Sequence, residues 1–200
     1  MAYELDTQSH DLILEPSVGR GVLVQSVLDT DRENICISQF RVLENLKMNR
    51  DILKEKYPNI NIIGNDFEKL KDGSFNKIIA NPPFSANRDL KHLFKMLTHL
   101  SRFGTLVYLI SNHYENSNDF WSRKFKLFNS ELFDYWFDID LIDISKDTFK
   151  ENGTSIPATL VVIRNINECG AELEDVLKNI TNDDTDHELY NLSLKNYIFK

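Results

Sequence analysis

Short apolar runs alternate with longer amphipathic stretches along most of this chain, and no other feature constrains its fold as strongly. Seven runs are predicted as strands, at residues 11–16, 34–38, 60–63, 77–81, 105–110, 137–144 and 158–163. Apolar residues at helical spacing predict helices between them, including 22–28, 40–57 and 89–100. Strands that alternate with helices are typical of an α/β domain built on a parallel sheet.

Two of the runs indicate where their strands lie in the sheet. Residues 105–110 (TLVYLI) have no polar interruption, as expected of a strand covered on both faces. Residues 137–144 (FDIDLIDI) alternate between apolar and mainly acidic side chains, which predicts a half-exposed strand near a sheet edge. We therefore expect a seven-stranded sheet with one strongly buried and one peripheral strand.

Charge and length limit the partners of the chain. Its 200 residues suit one α/β domain, and the net charge is −8. Nucleic-acid binders usually present a basic surface, so an acidic chain must gather its cations in one stripe or rely on a partner. We expect the catalytic domain to span residues 1–165, and residues 166–200 to form an acidic extension of a helix and a tail. No separate target-recognition domain is expected.

The cellular setting is predicted from what the sequence lacks. Cys36 and Cys169 are far apart and match no metal or disulfide pattern, which favours reduced thiols in a cytoplasmic protein. The first residues do not resemble a signal peptide, and no apolar run approaches 18 residues. The five histidines show no metal-ligand spacing. We expect neither a membrane span nor a metal.

The strongest motif is the tetrapeptide Asn81-Pro82-Pro83-Phe84, which directly follows a predicted buried strand. Two prolines fix the backbone and remove two hydrogen-bond donors, so the motif makes a stiff turn. A turn alone does not require an amide before the prolines or an aromatic ring after them. We therefore interpret Asn81, Pro82, Pro83 and Phe84 as catalytic residues.

Two further motifs follow predicted strands. The segment 15–21 (EPSVGRG) carries two glycines and an acid at the strand end, which suits a cationic ligand but is also compatible with a plain connector. Asp66 and Phe67 follow the third strand, where they could contact an exocyclic amine and a purine face, or could form a helix cap and a core residue. Because the carboxyl ends of parallel strands share one edge, the three motifs predict one cleft.

In this order, the motifs resemble those of the class I S-adenosylmethionine-dependent methyltransferases that modify the N6 amino group of adenine in DNA. Residues 148–154 (TFKENGT) resemble the late motif of that family. The resemblance implies a Rossmann-like class I methyltransferase fold, with a seven-stranded, mostly parallel sheet, helices on both faces and an antiparallel last strand. It also implies S-adenosylmethionine as the cofactor. The Phe form of the tetrapeptide is common in methylation subunits of restriction-modification systems, whose target recognition lies elsewhere.

The resemblance also implies roles for individual residues. The family has a ribose-binding acid at the end of the second strand, where this sequence is expected to place Ser38 or Gln39. The implied cofactor-binding residues are Glu15, Pro16, Ser17, Gly19, Gly21, Ser38, Gln39, Asp66, Phe67 and Asn81. The Asn81 side chain and the Pro82 carbonyl would accept hydrogen bonds from the target amine, while Phe84 would stack on a base flipped out of the duplex.

Adenine-N6 methylation of DNA is the function that the sequence favours, and we expect a partner protein or subunit to recognise the target. Candidate DNA contacts are Arg88, Lys91, Trp121, Arg123 and Lys124, which could equally be surface cations and a core tryptophan. Two alternatives remain open. One is methylation of another planar nitrogen, in RNA or in a protein glutamine; the other is a non-catalytic subunit that keeps the fold.

Overall fold

The computed structural model describes residues 1–82, 88–130, 133–134, 136–145 and 157–166. Seven strands lie within these residues: β1 (Ile13–Glu15), β2 (Phe40–Leu43), β3 (Asn61–Gly64), β4 (Phe75–Ala80), β5 (Leu100–Ser111), β6 (Phe137–Ile144) and β7 (Ala158–Asn165). The helices within them are α1 (Val22–Thr30), α2 (Lys47–Lys56), α3 (Arg88–Leu97), α4 (His113–Asn116) and α5 (Phe120–Phe128). Residues 148–154 and almost all of the predicted extension lie outside the described residues.

The seven strands form one sheet in the order β3-β2-β1-β4-β5-β7-β6. The first five are parallel, whereas β7 runs antiparallel to both of its neighbours, β5 and β6. This arrangement confirms the predicted mostly parallel sheet with an antiparallel last strand. It also confirms that residues 137–144 form a peripheral strand, because β6 lies at one edge.

Both faces of the sheet are covered, because alternate residues of the central strands enter two separate cores. In β5, Leu106 and Tyr108 belong to the core under α3 and α5, whereas Val107 and Leu109 belong to the core under α1 and α2. All four side chains are at most 2% exposed. The uninterrupted apolar run of β5 follows from this double burial.

The second strand is where the sequence-based prediction is wrong. It was expected at 34–38, but β2 is Phe40–Leu43, and a 3-10 turn at Ile37–Gln39 precedes it. The predicted helix over 40–57 is correspondingly shorter, because α2 is Lys47–Lys56. Val42 and Leu43 fit the helical spacing of the following residues, but both are buried in the sheet, where Val42 pairs with Glu15.

Gly21 lies at the junction of the first loop and α1 and has a φ of +79°. A Cβ atom at this position would lie 3.0 Å from Leu53 Cδ2 and 3.0 Å from Tyr57 Cε2, so α1 and α2 approach each other closely here. Left-handed backbone is unfavourable for residues with a Cβ, and the contact leaves little space for one.

We predict that Gly21→Ala lowers the free energy of unfolding by about 2 kcal/mol, because strain and crowding add. Thermal denaturation of the purified chain measures this, with Ser26→Ala on the exposed side of α1 as the control. Equal melting temperatures for the two variants would show that the junction tolerates a Cβ.

Candidate active site

Four neighbouring parallel strands bring the predicted motifs to one edge of the sheet. β1, β2, β3 and β4 are adjacent in the order β3-β2-β1-β4, so their carboxyl ends lie side by side. The loop 16–21 follows β1, Glu44 follows β2, Asp66 comes two residues after β3, and Asn81 follows β4 directly. In doubly wound sheets ligands bind at this edge.

The loop after β1 folds back towards β2. Gly19 and Gly21 adopt left-handed conformations, with φ of +56° and +79°. The Val18 amide donates to the Leu43 carbonyl at 3.0 Å, which ties the loop to the end of β2. A Cβ added to Gly19 would meet no atom within 4 Å, so the backbone at Gly19 borders open space. A ligand can therefore approach the main chain closely here.

Glu15 is a buried acid at the end of β1, and its side chain is not fully satisfied. The residue is 2% exposed, and its Oε2 has no hydrogen-bond partner among the residues that the structure describes. Burial and the nearby charge of Glu44 raise the pKa of Glu15 to about 8, against an opposing hydrogen bond from the Val24 amide. The adjacent Pro16 is buried, and within the described part of the chain the Ser17 hydroxyl also has no hydrogen-bond partner. A cation bound near Glu15 would favour its ionised form.

Glu44 is a site residue that the sequence analysis missed. Its Oε2 accepts a hydrogen bond from the Gly19 amide at 2.8 Å, and its Oε1 accepts one from the Leu46 amide at 2.7 Å. The residue is 8% exposed. It directly follows β2, so an acid does stand at the end of the second strand. Correct placement of β2 in the sequence would have identified it.

Ser38 and Gln39 are therefore not at the position that was predicted for them. Both precede β2, at the opposite end of the strand from the loop 16–21. The Gln39 side chain bonds locally: its amide nitrogen donates to the Asp11 carbonyl at 3.0 Å, and its oxygen accepts from the Cys36 amide at 2.8 Å. The position for which they were expected, directly after β2, is occupied by Glu44.

Asp66 and Phe67 have the structural roles that the sequence left open as alternatives to cofactor binding: Asp66 is a helix cap, and Phe67 is a core residue. The Asp66 carboxylate accepts a hydrogen bond from the Glu68 amide at 3.0 Å. The Phe67 ring is 4% exposed; it contacts His92 edge-on, and the Lys95 ammonium lies 5.1 Å from its centre. Asp66 remains half-buried at the edge where the cofactor was expected.

The tetrapeptide begins where β4 ends. Asn81 is exposed directly after Ala80, and Pro82 is buried. The other two residues of the motif, Pro83 and Phe84, lie outside the described residues. An exposed amide at the end of a buried strand is placed where it can meet a ligand bound at this edge.

The candidate DNA contacts differ in accessibility. Lys91 is exposed on α3, with its ammonium 3.6 Å from the Glu68 carboxylate, and Arg123 is exposed on α5. Lys124 is 2% exposed, and its ammonium lies 5.0 Å from the centre of the Phe120 ring. The prediction that Lys124 contacts DNA is wrong, because its charged group is buried.

The two remaining candidates are Trp121 and Arg88. Trp121 is partly buried and stacks on Phe94 at a centroid distance of 5.8 Å, so it packs against the core under α3. Arg88 starts α3, and its side chain lies outside the description.

The described residues contain neither a cluster of metal ligands nor a membrane-spanning helix. No group of three or more His, Cys, Asp or Glu side chains in this part of the chain could hold a metal ion. Among the same residues, no helix is long and apolar enough to cross a membrane.

Comparison with known sequences gives short matches. The chain matches no protein-family model. It is 28% identical over 103 residues to a probable ribosomal RNA small subunit methyltransferase A from Methanosphaera stadtmanae, which covers 52% of this chain and 37% of that protein. A protein of the same name from Methanosarcina barkeri is 32% identical over 98 residues, or 49% and 32% of the two chains. The chain thus spans about a third of these relatives' length.

Comparison with solved structures identifies the fold. The 23S rRNA methyltransferase ErmE superposes with a TM-score of 0.57 at 14% identity, covering 90% of this chain and 72% of that one. The M protein of the type I restriction enzyme EcoKI superposes with a TM-score of 0.59 at 13% identity, covering 82% and 42%. The chain has the Rossmann-like class I methyltransferase fold, as predicted, and these likenesses agree with S-adenosylmethionine as the predicted cofactor.

We predict that Glu15→Gln stabilises the fold in a pH-dependent way. Between pH 4.5 and about 8 the folded chain keeps a proton on Glu15 that the unfolded chain has lost. Its contribution to stability therefore declines as pH rises through this window. Relative to the wild type, the free energy of unfolding of the variant should increase little below pH 4.5 and most near pH 8. Each kcal/mol of this increase adds roughly 2–4 °C to the melting temperature.

Melting curves from pH 4 to pH 8 measure this gain. Glu55→Gln, at an exposed position of α2, is the matched control and should show no growing gain with pH. A Glu15→Gln variant that melts below the wild type at pH 8 would contradict the placement of a buried, destabilising acid at the end of β1.

Proposed function

We propose that this chain is an S-adenosylmethionine-dependent methyltransferase that methylates the exocyclic N6 of adenine in a nucleic acid. One observation carries the proposal: the neighbouring strands β4 and β1 end beside each other, with the exposed amide of Asn81 directly after β4 and the buried acid Glu15 at the end of β1. One Glu15 oxygen has no hydrogen-bond partner among the described residues. The amide can accept hydrogen bonds from an amine, and the acid can balance a cationic cofactor.

The residues at this edge fit S-adenosylmethionine. Each carboxylate oxygen of Glu44 accepts one backbone hydrogen bond and keeps a lone pair, so both can accept from ribose hydroxyls. The open space at Gly19 and the amino end of α1, which has no acid in its first turn, suit the methionine carboxylate. Glu15 would balance the positive charge. When bound, the cofactor supplies an electrophilic methyl group.

Asn81 and Pro82 would prepare the target nitrogen. The N6 lone pair of adenine is delocalised into the ring, which makes the amine a poor nucleophile. Hydrogen bonds from its two N–H groups to the Asn81 side-chain oxygen and the Pro82 carbonyl would favour a pyramidal nitrogen with a localised pair. Fixing that nitrogen in line with the methyl group would supply much of the acceleration. An amide needs no shifted pKa to accept these bonds.

DNA is the substrate that we assign first. Support comes from the Phe form of the tetrapeptide and from the likeness of the fold to the EcoKI M protein. The net charge of −8 favours a partner that supplies further contacts to the phosphates. Lys91 and Arg123 are the exposed cations through which this chain would contribute.

Ribosomal RNA is the second candidate substrate. Both curated relatives are named as ribosomal RNA small subunit methyltransferases, and ErmE is a 23S rRNA methyltransferase. The same acceptors would serve an adenine in either nucleic acid, because the exocyclic amine is identical. An activity assay with DNA and with ribosomal RNA as separate substrates distinguishes the two candidates.

We expect methyladenine to form when the chain is incubated with S-adenosylmethionine and unmethylated DNA, and Asn81→Ala to lower the rate by about 10²-fold or more. Nucleoside digestion and mass spectrometry measure the product, and ribosomal RNA is tested in parallel. Asn59→Ala, at an exposed position before β3, is the control and should keep full activity.

The outcomes discriminate between the substrates and the role of Asn81. N6-methyladenosine from RNA alone would replace DNA by the second candidate. Equal rates for Asn81→Ala and wild type would contradict the assigned acceptor. Methylation of neither nucleic acid, with the cofactor bound, would contradict the proposed function of the isolated chain.

A further inference from the structure

Asp89 is a buried acid in the first turn of α3, the helix that follows the tetrapeptide. The residue is 1% exposed. Its Oδ2 accepts a hydrogen bond from the Ser111 amide at 3.0 Å and another from the Ser111 hydroxyl at 2.8 Å. Its Oδ1 accepts one from the neighbouring Leu90 amide at 3.0 Å. The side chain of Asp89 therefore binds the start of α3 to the end of β5.

The main chain of Asp89 is bound by the same strand. The hydroxyl of Tyr108 in β5 donates to the Asp89 carbonyl oxygen at 2.9 Å, and Tyr108 is 0% exposed. Burial and, to a smaller extent, the charge of Asp89 raise the pKa of Tyr108, so the phenol keeps its proton and remains a donor at neutral pH. Both the side chain and the main chain of Asp89 are thus held against β5.

β5 also holds the other end of the segment that contains the tetrapeptide. Residues 81–87 join β4 to α3. Ala80, which precedes Asn81, pairs with Tyr108 in the parallel ladder between β4 and β5. Tyr108 therefore contacts both ends of this segment, through its main chain next to Ala80 and through its hydroxyl at Asp89.

The sequence of the segment makes the position of its far end important for the acceptors at its start. Pro82 and Pro83 each have a fixed φ, so this part of the backbone has few ways to absorb a displacement. With both ends held, the chain between them has fewer conformations to lose when a substrate binds. The Asn81 side chain and the Pro82 carbonyl are the proposed acceptors, and an error of about 1 Å in the position of such a group can lower a rate by roughly 10²-fold.

We propose that Asp89 is a positioning residue for methyl transfer: held by Tyr108 and Ser111, it fixes the end of the segment and thereby the orientation of Asn81 and Pro82 towards the target amine. This role rests on the proposed function. Asp89 itself does not touch the substrate, because it is buried, and it takes no part in proton transfer. A purely structural role would lower stability without a selective loss of kcat, which distinguishes the two roles experimentally.

We predict that Asp89→Ala lowers kcat for methyladenine formation by about 10-fold or more and leaves the Kd for S-adenosylmethionine unchanged, because only the link to β5 is lost. Asp89→Asn should recover part of this rate, since its amide oxygen can still accept from the Ser111 amide and hydroxyl. Steady-state kinetics measure kcat, and calorimetry measures the Kd.

Asp11→Ala is the matched control for the loss of a buried acid. Asp11 is 5% exposed and accepts from the Gln8 amide at 2.8 Å, but it precedes β1, at the opposite end of the strands from Asn81. This variant should keep the kcat of the wild type even where its melting temperature falls.

Tyr108→Phe removes only the main-chain link and keeps the ring in the core, so it carries the test where Asp89→Ala does not fold. It should lower kcat in the same direction. Tyr57→Phe is its control, because it removes a buried hydroxyl that donates to the Gln25 side chain of α1 at 2.8 Å, and it should keep the wild-type kcat.

A second measurement does not depend on activity. Nitrogen-15 NMR should give a lower backbone order parameter for Asn81 in Asp89→Ala and in Tyr108→Phe than in the wild type, and an unchanged one in the two controls.

Unchanged order at Asn81 in both Asp89→Ala and Tyr108→Phe, or a wild-type kcat in both, would overturn the proposal. Equal losses of kcat in Asp89→Ala and Asp11→Ala, in step with their melting temperatures, would assign Asp89 a structural role instead. A wild type that methylates no adenine would contradict the proposed function, and the order at Asn81 would then still decide whether Asp89 positions the segment.

Discussion

The candidate site depends on one contact, in which the Glu44 carboxylate accepts hydrogen bonds from the backbone of two different segments. The Gly19 amide belongs to the loop after β1, and the Leu46 amide precedes α2. The Glu44 side chain therefore links the first loop to the end of β2 and to the start of α2. The loop is also tied to β2 by the Val18 and Leu43 main chains, so its shape exists before any ligand binds. Such preorganisation lowers the cost of binding.

The same contact places two acids close together, which is unfavourable for the fold. Burial raises the pKa of Glu15, and the charge of Glu44 raises it further, to about 8. A chain selected only for stability would not keep an acid with an unpartnered oxygen at a buried strand end. Perturbed acids of this kind concentrate at functional sites. A cationic ligand would ease the conflict, because its positive charge favours the ionised form of Glu15.

Local patterns predicted most of the sheet and only part of the site. The apolar run of β5 and the alternation of β6 were sufficient to predict these two strands and their burial, because each pattern reflects how its own strand is buried. The second strand was misplaced because Val42 and Leu43 also satisfy helical spacing, and Glu44 was overlooked with it. The hydrogen bond that the Ser111 hydroxyl of β5 donates to the Asp89 carboxylate of α3 joins residues 22 positions apart, and no sequence period encodes it. Pairings of this kind require the fold.

We propose that Glu15 is a neutral acid in the free chain and ionises when a cationic cofactor binds. Calorimetric titration of the chain with S-adenosylmethionine at pH 7, in buffers that differ in ionisation enthalpy, measures the protons released. We expect about one proton per cofactor bound, because a pKa of about 8 keeps Glu15 protonated in the free chain. Glu15→Gln should bind more weakly and release none. Binding without proton release, or equal affinity in the variant, would contradict the account.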